Sequence, residues 1–524
     1  MISKVSSWSW WKDTGNNNGV VISVAVTSLL VISWSVISRK RNGGKLLPGP
    51  RGWPLIGNLL SLEPDLHFYF TKLAKVYGPI YKLQWGMKCL VVLNSSALAK
   101  EGLRDQDAKF ADRDGPVVGM VLSYGGIDMV WSASDSEWRK LRKISAHELM
   151  SNTNLDSCYN LRRKEVRKMV KDLYSKIETP VDVYGSVFTT NLNVIMSMLW
   201  GGTLTGDEKT SINTEFRQLF HEIVELSAQP NVSDFFPILE CLDIQGIGKK
   251  AKALLVWMDR IFASIIDQHM KLERTEGEHK GSKDFLQFLL ELMEKQDPKT
   301  QITMTQMKAL FMDIAVGGTD TTSTTVEWVI SEMIQNPDMM KRAQAELEEV
   351  VGKNNIVEES HIPKLPYLDA VVRETLRLHP PAVILVRRCP DSPCTIGGYT
   401  IPKGAKVIFN VWGMHMDAEA WNNPTEFLPE RFLTSTPDDT HKYGYKGNNF
   451  NYLPFGSGRR VCVGISLAER MVTYLSATLL HSFDWQVPEG TKLDLTGKFG
   501  IVSRKSIPLV AVPTPRFSNP ELYV

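Results

Sequence analysis

Between residues 45 and 58 the sequence reads KLLPGPRGWPLIGN, with prolines at 48, 50 and 54 and glycines at 49, 52 and 57. Each proline removes a backbone N–H and biases the residue before it toward an extended conformation, and the glycines favour turns, so no helix runs through this stretch. The segments on its two sides therefore form separate structures joined by a stiff strap. On the N-terminal side, Val20 to Ile37 is an uncharged run, VVISVAVTSLLVISWSVI, of about the length that crosses a bilayer as a helix. Arg39, Lys40, Arg41 and Lys45 come directly after it, whereas only Lys4, Lys12 and Asp13 are charged before it. By the positive-inside rule the C-terminal side faces the cytosol. A cleaved signal peptide would carry its charge on the other flank and end in a small-residue cleavage site. The expected organisation is a lumenal N-terminus at 1–19, a transmembrane anchor at 20–38, a basic and proline-rich strap at 39–58 and a cytosolic body at 59–524.

That body shows no further linker, low-complexity tract or repeat, and with 43% hydrophobic residues it has ample material for one large core. A formal net charge of +2 with no basic, aromatic-interleaved stripe excludes a nucleic-acid partner. Six scattered cysteines without a C-x-x-C pair exclude a disulfide framework and a zinc site.

Apolar residues at helical spacing predict helices over Arg162–Lys176, Lys249–Lys271 and Pro337–Val351. IYKLQWG and CLVVLN, within 80–94, predict a strand pair, and GYTIPKGAKVIFNVW (398–412) predicts strand, turn and strand. The fold class expected is mainly α, an α-rich α+β body with a small β-sheet region.

Ile302–Asn336 keeps an apolar stripe, yet its centre reads AVGGTDTTSTT, a concentration of poor helix formers. Glycines and hydroxyls at the middle of a buried helix predict a local break in the hydrogen-bond ladder that opens space for a ligand. A helix–helix contact through small residues is the alternative.

NYLPFGSGRRVCVGISLAER (451–470) sets Cys462 in a glycine-rich bend just before a helical stretch. A cysteine at a helix start, among backbone N–H groups, has its thiolate stabilised, and Gly456, Gly458 and Gly464 let the chain wrap closely around a bulky partner. Arg460 reaches toward an anion on the same side. No second cysteine completes a zinc or iron–sulfur site and no His/Asn set suggests a protease, which leaves a single axial thiolate on haem iron.

FGSGRRVCVG (455–464), running from Phe455 through Gly458 to Gly464, resembles the F-x-x-G-x-R-x-C-x-G signature of the haem-thiolate monooxygenases, the cytochrome P-450 superfamily. WRKLRK (138–143), GGTDTT (317–322), ETLR (374–377) and FLPERF (427–432) resemble its other landmarks in order, and the whole chain looks like a plant microsomal member. The resemblance implies haem as cofactor with Cys462 as the iron ligand. It implies a single-pass protein of the endoplasmic reticulum membrane whose cytosolic domain takes electrons from NADPH through a partner reductase.

It further implies that Trp138, Arg142, Arg388 and Arg460 hold the haem propionates. Glu374, Arg377 and Arg431 brace the fold, Thr321 holds a water over the distal face with Asp320 relaying protons, and Gly317 and Gly318 make room for dioxygen. Arg387 stands where the family often has proline, so two adjacent arginines compete for one propionate role. By the same resemblance the pocket is lined by Val117, Val118, Met120–Leu122, Phe311, Val383–Leu385 and Ile501–Val502, an almost purely aliphatic set suited to a small apolar ligand. It looks most like the plant sesquiterpene hydroxylases of the (+)-δ-cadinene 8-hydroxylase group. Hydroxylation of a terpenoid is thus expected, with a flavonoid or other aromatic metabolite as alternative and a non-enzymatic haem-binding protein as the reading from another class.

Overall fold

The structure, a computed structural model, describes residues 46–201, 206–276, 284–294, 301–388, 392, 394–433 and 443–524. The anchor expected at 20–38 and the basic start of the strap lie outside the described residues. Among the described residues no helix is long and apolar enough to cross a membrane.

The principal helices are α1 (Leu66–Tyr77), α2 (Val117–Leu122), α3 (Ser136–Ile144), α4 (Tyr159–Tyr174), α5 (Val183–Trp200), α6 (Gly206–Ser227), α7 (Ile247–Glu276), α8 (Met304–Gln335), α9 (Pro337–Val351), α10 (Pro366–Leu378) and α11 (Ile465–Ser482). The sheets are small. In chain order the strands are β1 (Ile80–Trp85), β2 (Lys88–Leu93), β3 (Val181–Asp182), β4 (Leu385–Arg388), β5 (Cys394–Ile396), β6 (Tyr399–Ile401), β7 (Lys406–Phe409), β8 (Phe483–Gln486), β9 (Gly497–Lys498), β10 (Arg504–Lys505) and β11 (Val510–Pro515). The largest sheet has the order β1-β2-β7-β4. The expected β1–β2 pair is present and antiparallel. β6 and β7 are strands with a turn between them, but β6 pairs with β5 while β7 continues the larger sheet beside β2 and β4.

Helix α8 is the axis of the main core, packed between α5 and α11. Its start is fixed by a capping box: the Thr303 hydroxyl accepts Gln306 N–H at 3.1 Å, and Gln306 Oε1 accepts Thr303 N–H at 2.9 Å. The expected break at its centre is not there; the helix runs uninterrupted from Met304 to Gln335. The hydroxyls explain why. Thr319, Thr321, Ser323 and Thr325 each donate to the carbonyl four residues back, at 2.7 to 2.8 Å, so polar side chains that would compete with the ladder bond to its own oxygens instead.

On α10, Glu374 and Arg377 have no exposed side-chain surface and pair at 2.7 and 2.8 Å, with Arg431 Nε 3.2 Å from the same carboxylate. Arg377 also donates to the carbonyls of His415, Pro424 and Glu426. The pair is internally satisfied, the condition under which a buried ion pair is tolerated. His415 carries the brace onward. Its Nδ1 lies 3.0 Å from the Arg377 carbonyl and its Nε2 accepts Leu453 N–H at 2.9 Å, so the neutral ring joins α10 to the segment that leads into the cysteine bend. Burial pulls this imidazole down to about 3, which keeps it neutral and able to accept.

Candidate functional site

The cysteine bend is closed on itself by Cys462 N–H donating to the Phe455 carbonyl at 3.0 Å. Phe455 packs edge-on against Tyr445 with ring centroids 5.0 Å apart. Gly458 has φ +70°, and a Cβ there would lie 2.3 Å from the Leu103 carbonyl oxygen, so only glycine fits this turn. Gly464 caps α11 and directs its N–H at the sulfur. Burial pushes the Cys462 thiol up, and the Gly464 N–H and the Arg142 charge pull it back toward thiolate. The side chain is accessible although protein surrounds it on every side, so it borders an internal space and not bulk solvent.

Beside that space stands a wall of arginines. Arg142, on α3, donates through Nη2 to the Val461 carbonyl, next to the cysteine. Arg460 lies 4.2 Å above the Trp138 ring and donates to the carbonyls of Ala111 (2.8 Å), Met129 (2.9 Å) and Ser132. Trp138 is buried and its Nε1 donates to Met129 at 3.1 Å. Arg387 is buried as well; burial, then the charges of Arg113 and Arg460, pull its guanidinium well down. Arg113 donates to the Val130 carbonyl at 2.9 Å, while its buried Nε has no partner. Two of the carboxylates nearby are engaged elsewhere: Asp107 accepts Arg459 N–H, and Asp128 accepts the N–H groups of Trp131 and Ser132. So much buried positive charge suits an anion with several oxygens.

Of the two arginines in competition, Arg387 faces this wall. Arg388 does not: in β4 alternate side chains leave on opposite faces, Arg387 stands across from Val407 and Arg388 from Lys406, and the Arg388 guanidinium runs toward Gly404. Among the two, Arg387 is the one grouped with Arg113, Arg142 and Arg460.

The distal residues divide similarly. Gly317 is exposed and a Cβ on it would meet nothing within 4 Å; the Thr321 hydroxyl donates to the Gly317 carbonyl at 2.8 Å, so both share the face of α8 that borders open space. Gly318 faces α5 instead, where a Cβ would lie 2.9 Å from Ile195 Cδ1, and it is a packing glycine rather than one that makes room for a ligand. Asp320 is buried, accepts Tyr184 O–H at 2.7 Å and pairs with Arg504. Tyr184 and Arg504 were not legible as partners because they come from α5 and β10. Phe311 is corrected from pocket to core: it packs on Trp200 (5.6 Å) and Phe262 (5.7 Å).

Residues 47–510 match the family model for cytochrome P-450. A geraniol 8-hydroxylase of Swertia mussotii is 36% identical over 501 residues, covering 95% of this chain and 98% of that protein. A flavonoid 3'-monooxygenase of Crocosmia x crocosmiiflora is 36% identical over 506 residues, covering 94% of this chain and 98% of the relative. A zebra fish cytochrome P-450 solved with progesterone superposes with a TM-score of 0.73 at 26% identity, covering 87% of this chain and 100% of that one. Likeness that extends over nearly the full length of these relatives is inherited as a whole, and the chain belongs to the cytochrome P-450 family of monooxygenases.

Proposed function

We propose that this chain hydroxylates a small hydrophobic plant metabolite, in kind a terpenoid, at a haem held through Cys462. Members of the family carry a haem bound through a cysteine thiolate and receive electrons from NADPH through a redox partner. The residues here fit that group. The observation that carries the reading is the sulfur of Cys462 bordering an internal space, with the Gly464 N–H and the Arg142 charge on it. The arginine wall supplies the second half of the fit: Arg142, Arg387, Arg460 and Arg113 would hold the two haem carboxylates, with Trp138 packed under Arg460, and Phe455 and Gly458 shape the bend beneath. Bound there, the haem supplies reductive activation of dioxygen and delivery of one oxygen atom to a carbon.

The chain's own part is positioning and proton supply. Thr321 keeps a hydroxyl on the open face of α8, where it holds a water and passes a proton on. Asp320 stands behind it as the acid that restores that proton, exchanging with solvent past the part-exposed Arg504. A water-poor, aliphatic lining holds the substrate by shape.

The terpenoid reading is supported by the geraniol 8-hydroxylase relatives, and the flavonoid 3'-monooxygenase at the same identity keeps an aromatic substrate as the second reading. We further infer a single-pass protein of the endoplasmic reticulum membrane, anchored by 20–38 and strapped by 39–58 to a cytosolic domain at 59–524, with an NADPH-cytochrome reductase as partner. The test is incubation of microsomes carrying the protein with that reductase, NADPH and a panel of terpenes and flavonoids. A hydroxylated terpene is the expected product; oxidation of flavonoids alone overturns the terpenoid assignment.

A further inference from the structure

Helix α8 touches the arginine wall at a place far from Thr321. Asp313 Oδ2 accepts the Met129 N–H at 2.7 Å. The carbonyl of the same Met129 accepts both Trp138 Nε1, at 3.1 Å, and Arg460 Nη1, at 2.9 Å. One residue's backbone thus receives the helix on its N–H side and two wall donors on its carbonyl side. The flanking loop is bound just as fully. Asp128 Oδ1 accepts Trp131 N–H at 2.8 Å and Ser132 N–H at 3.0 Å, the Ser132 carbonyl accepts Arg460 Nη2, and the Val130 carbonyl accepts Arg113 Nη1 at 2.9 Å. Loop 128–132 has little freedom of its own, so where Met129 sits depends on what holds its N–H.

Burial and then the charge of Asp128 push the Asp313 carboxyl well up, which favours its neutral acid. It then offers an oxygen acceptor to Met129 and a donor to Asp128, the same two groups an asparagine offers.

We propose that Asp313 is a positioning residue for the haem edge, fixing through Met129 where Arg460 presents its remaining N–H groups, and so holding the helix over the substrate in register with the haem carboxylates. This inference rests on the reading of Arg460 as a haem-carboxylate donor. A carboxylate whose only task was to solubilise the helix would be exposed and free of such bonds; Asp313 has neither property.

The test is the rate at which the haem-loaded, full-length protein transfers haem to apomyoglobin. Asp313→Ala is expected to speed transfer about tenfold, the ratio for one hydrogen bond of middling strength. Asp313→Asn should stay within about twofold of the parent, because it restores both partners. Transfer at the parent rate from Asp313→Ala, or equally fast transfer from Asp313→Asn and Asp313→Ala, overturns the proposal. If Asp313→Ala accumulates no folded protein, Asp313→Glu takes its place: it keeps the acid but moves it by one methylene, so fast transfer is expected, and behaviour like Asp313→Asn overturns the proposal. Arg460→Lys is measured alongside. If it does not speed transfer, the haem-edge reading itself has failed; if it does and the Asp313 variants do not, this inference alone has failed.

Discussion

Arg504 clasps Asp320: its Nε lies 3.1 Å from Oδ2, and Nη2 lies closer still on the same oxygen. The carboxylate is buried while the arginine is about one-third exposed, so the pair spans the distance from the interior of α8 toward solvent. On the proposed proton route, Asp320 restores a proton to Thr321 only when this clasp loosens.

Thr321→Ala is expected to leave haem content nearly intact while product per NADPH falls and free hydrogen peroxide rises. Asp320→Asn should slow turnover by at least about a hundredfold, the low end for loss of a proton-transfer group, because the amide cannot carry the proton. NADPH consumed, peroxide formed and product formed in one reaction decide it. Unchanged ratios in folded Thr321→Ala protein would remove the proton-supply role.

The two adjacent glycines should respond in opposite ways. Gly318→Ala presses on Ile195 Cδ1, the end of a movable side chain, and should cost about 1 kcal/mol of stability with the NADPH-to-product ratio unaltered. Gly317→Ala meets nothing and should gain about 0.5–1 kcal/mol in helix propensity, yet change turnover by intruding on the open face. Unfolding midpoints and product ratios for both variants check this pair; a reversed pattern contradicts the assignment of faces.

Much of this was legible in the sequence. The cysteine bend, the position of α8, the β1–β2 pair and the buried Glu374–Arg377 brace all rest on local spacing, where residue types at three or four positions apart dictate contact. What stayed hidden was set by tertiary packing. Which of Gly317 and Gly318 faces α5 depends on the roll of α8, which an even scatter of small residues does not fix. Arg113, His415 and Asp313 look like ordinary polar residues until distant segments close around them. The expected break in α8 failed because serine and threonine have a choice between turning the chain and bonding its own carbonyls, and sequence does not record which they take.

Glu327, buried on α8, accepts Leu509 N–H at 2.7 Å, and burial pushes its carboxyl from 4.5 to about 7 against the pull of that N–H and Lys505. A raised carboxyl means the folded chain keeps a proton that the unfolded chain gives up. Its contribution is therefore complete below about pH 4.5 and is lost as pH rises toward 7, by up to about 3 kcal/mol across that window. Glu327→Gln keeps an acceptor for Leu509 without the charge. Its urea-unfolding free energy should be flatter between about pH 5 and 8 and higher than the parent's at the upper end. Identical slopes would contradict this.

Deleting residues 1–38 should release most of the protein from membranes with haem binding intact. A residual attachment is expected through Trp53 and Leu55 on the strap together with Ile238 and Leu242, all strongly exposed. The Met87 N–H donates to the Phe235 carbonyl at 2.9 Å, which holds the β1–β2 turn beside the chain leading to Ile238. Replacing those four residues by serine in the truncated protein should bring it fully into the soluble fraction on flotation; continued membrane binding would place the attachment elsewhere.

The most direct test of haem ligation is the carbon monoxide difference spectrum of the reduced protein, parent against Cys462→Ser. The parent should show the Soret maximum typical of thiolate-ligated haem, and Cys462→Ser should lose that maximum and all product formation, because a neutral hydroxyl supplies no thiolate. A thiolate-type spectrum with retained turnover in Cys462→Ser would contradict the assignment of Cys462 as the haem ligand.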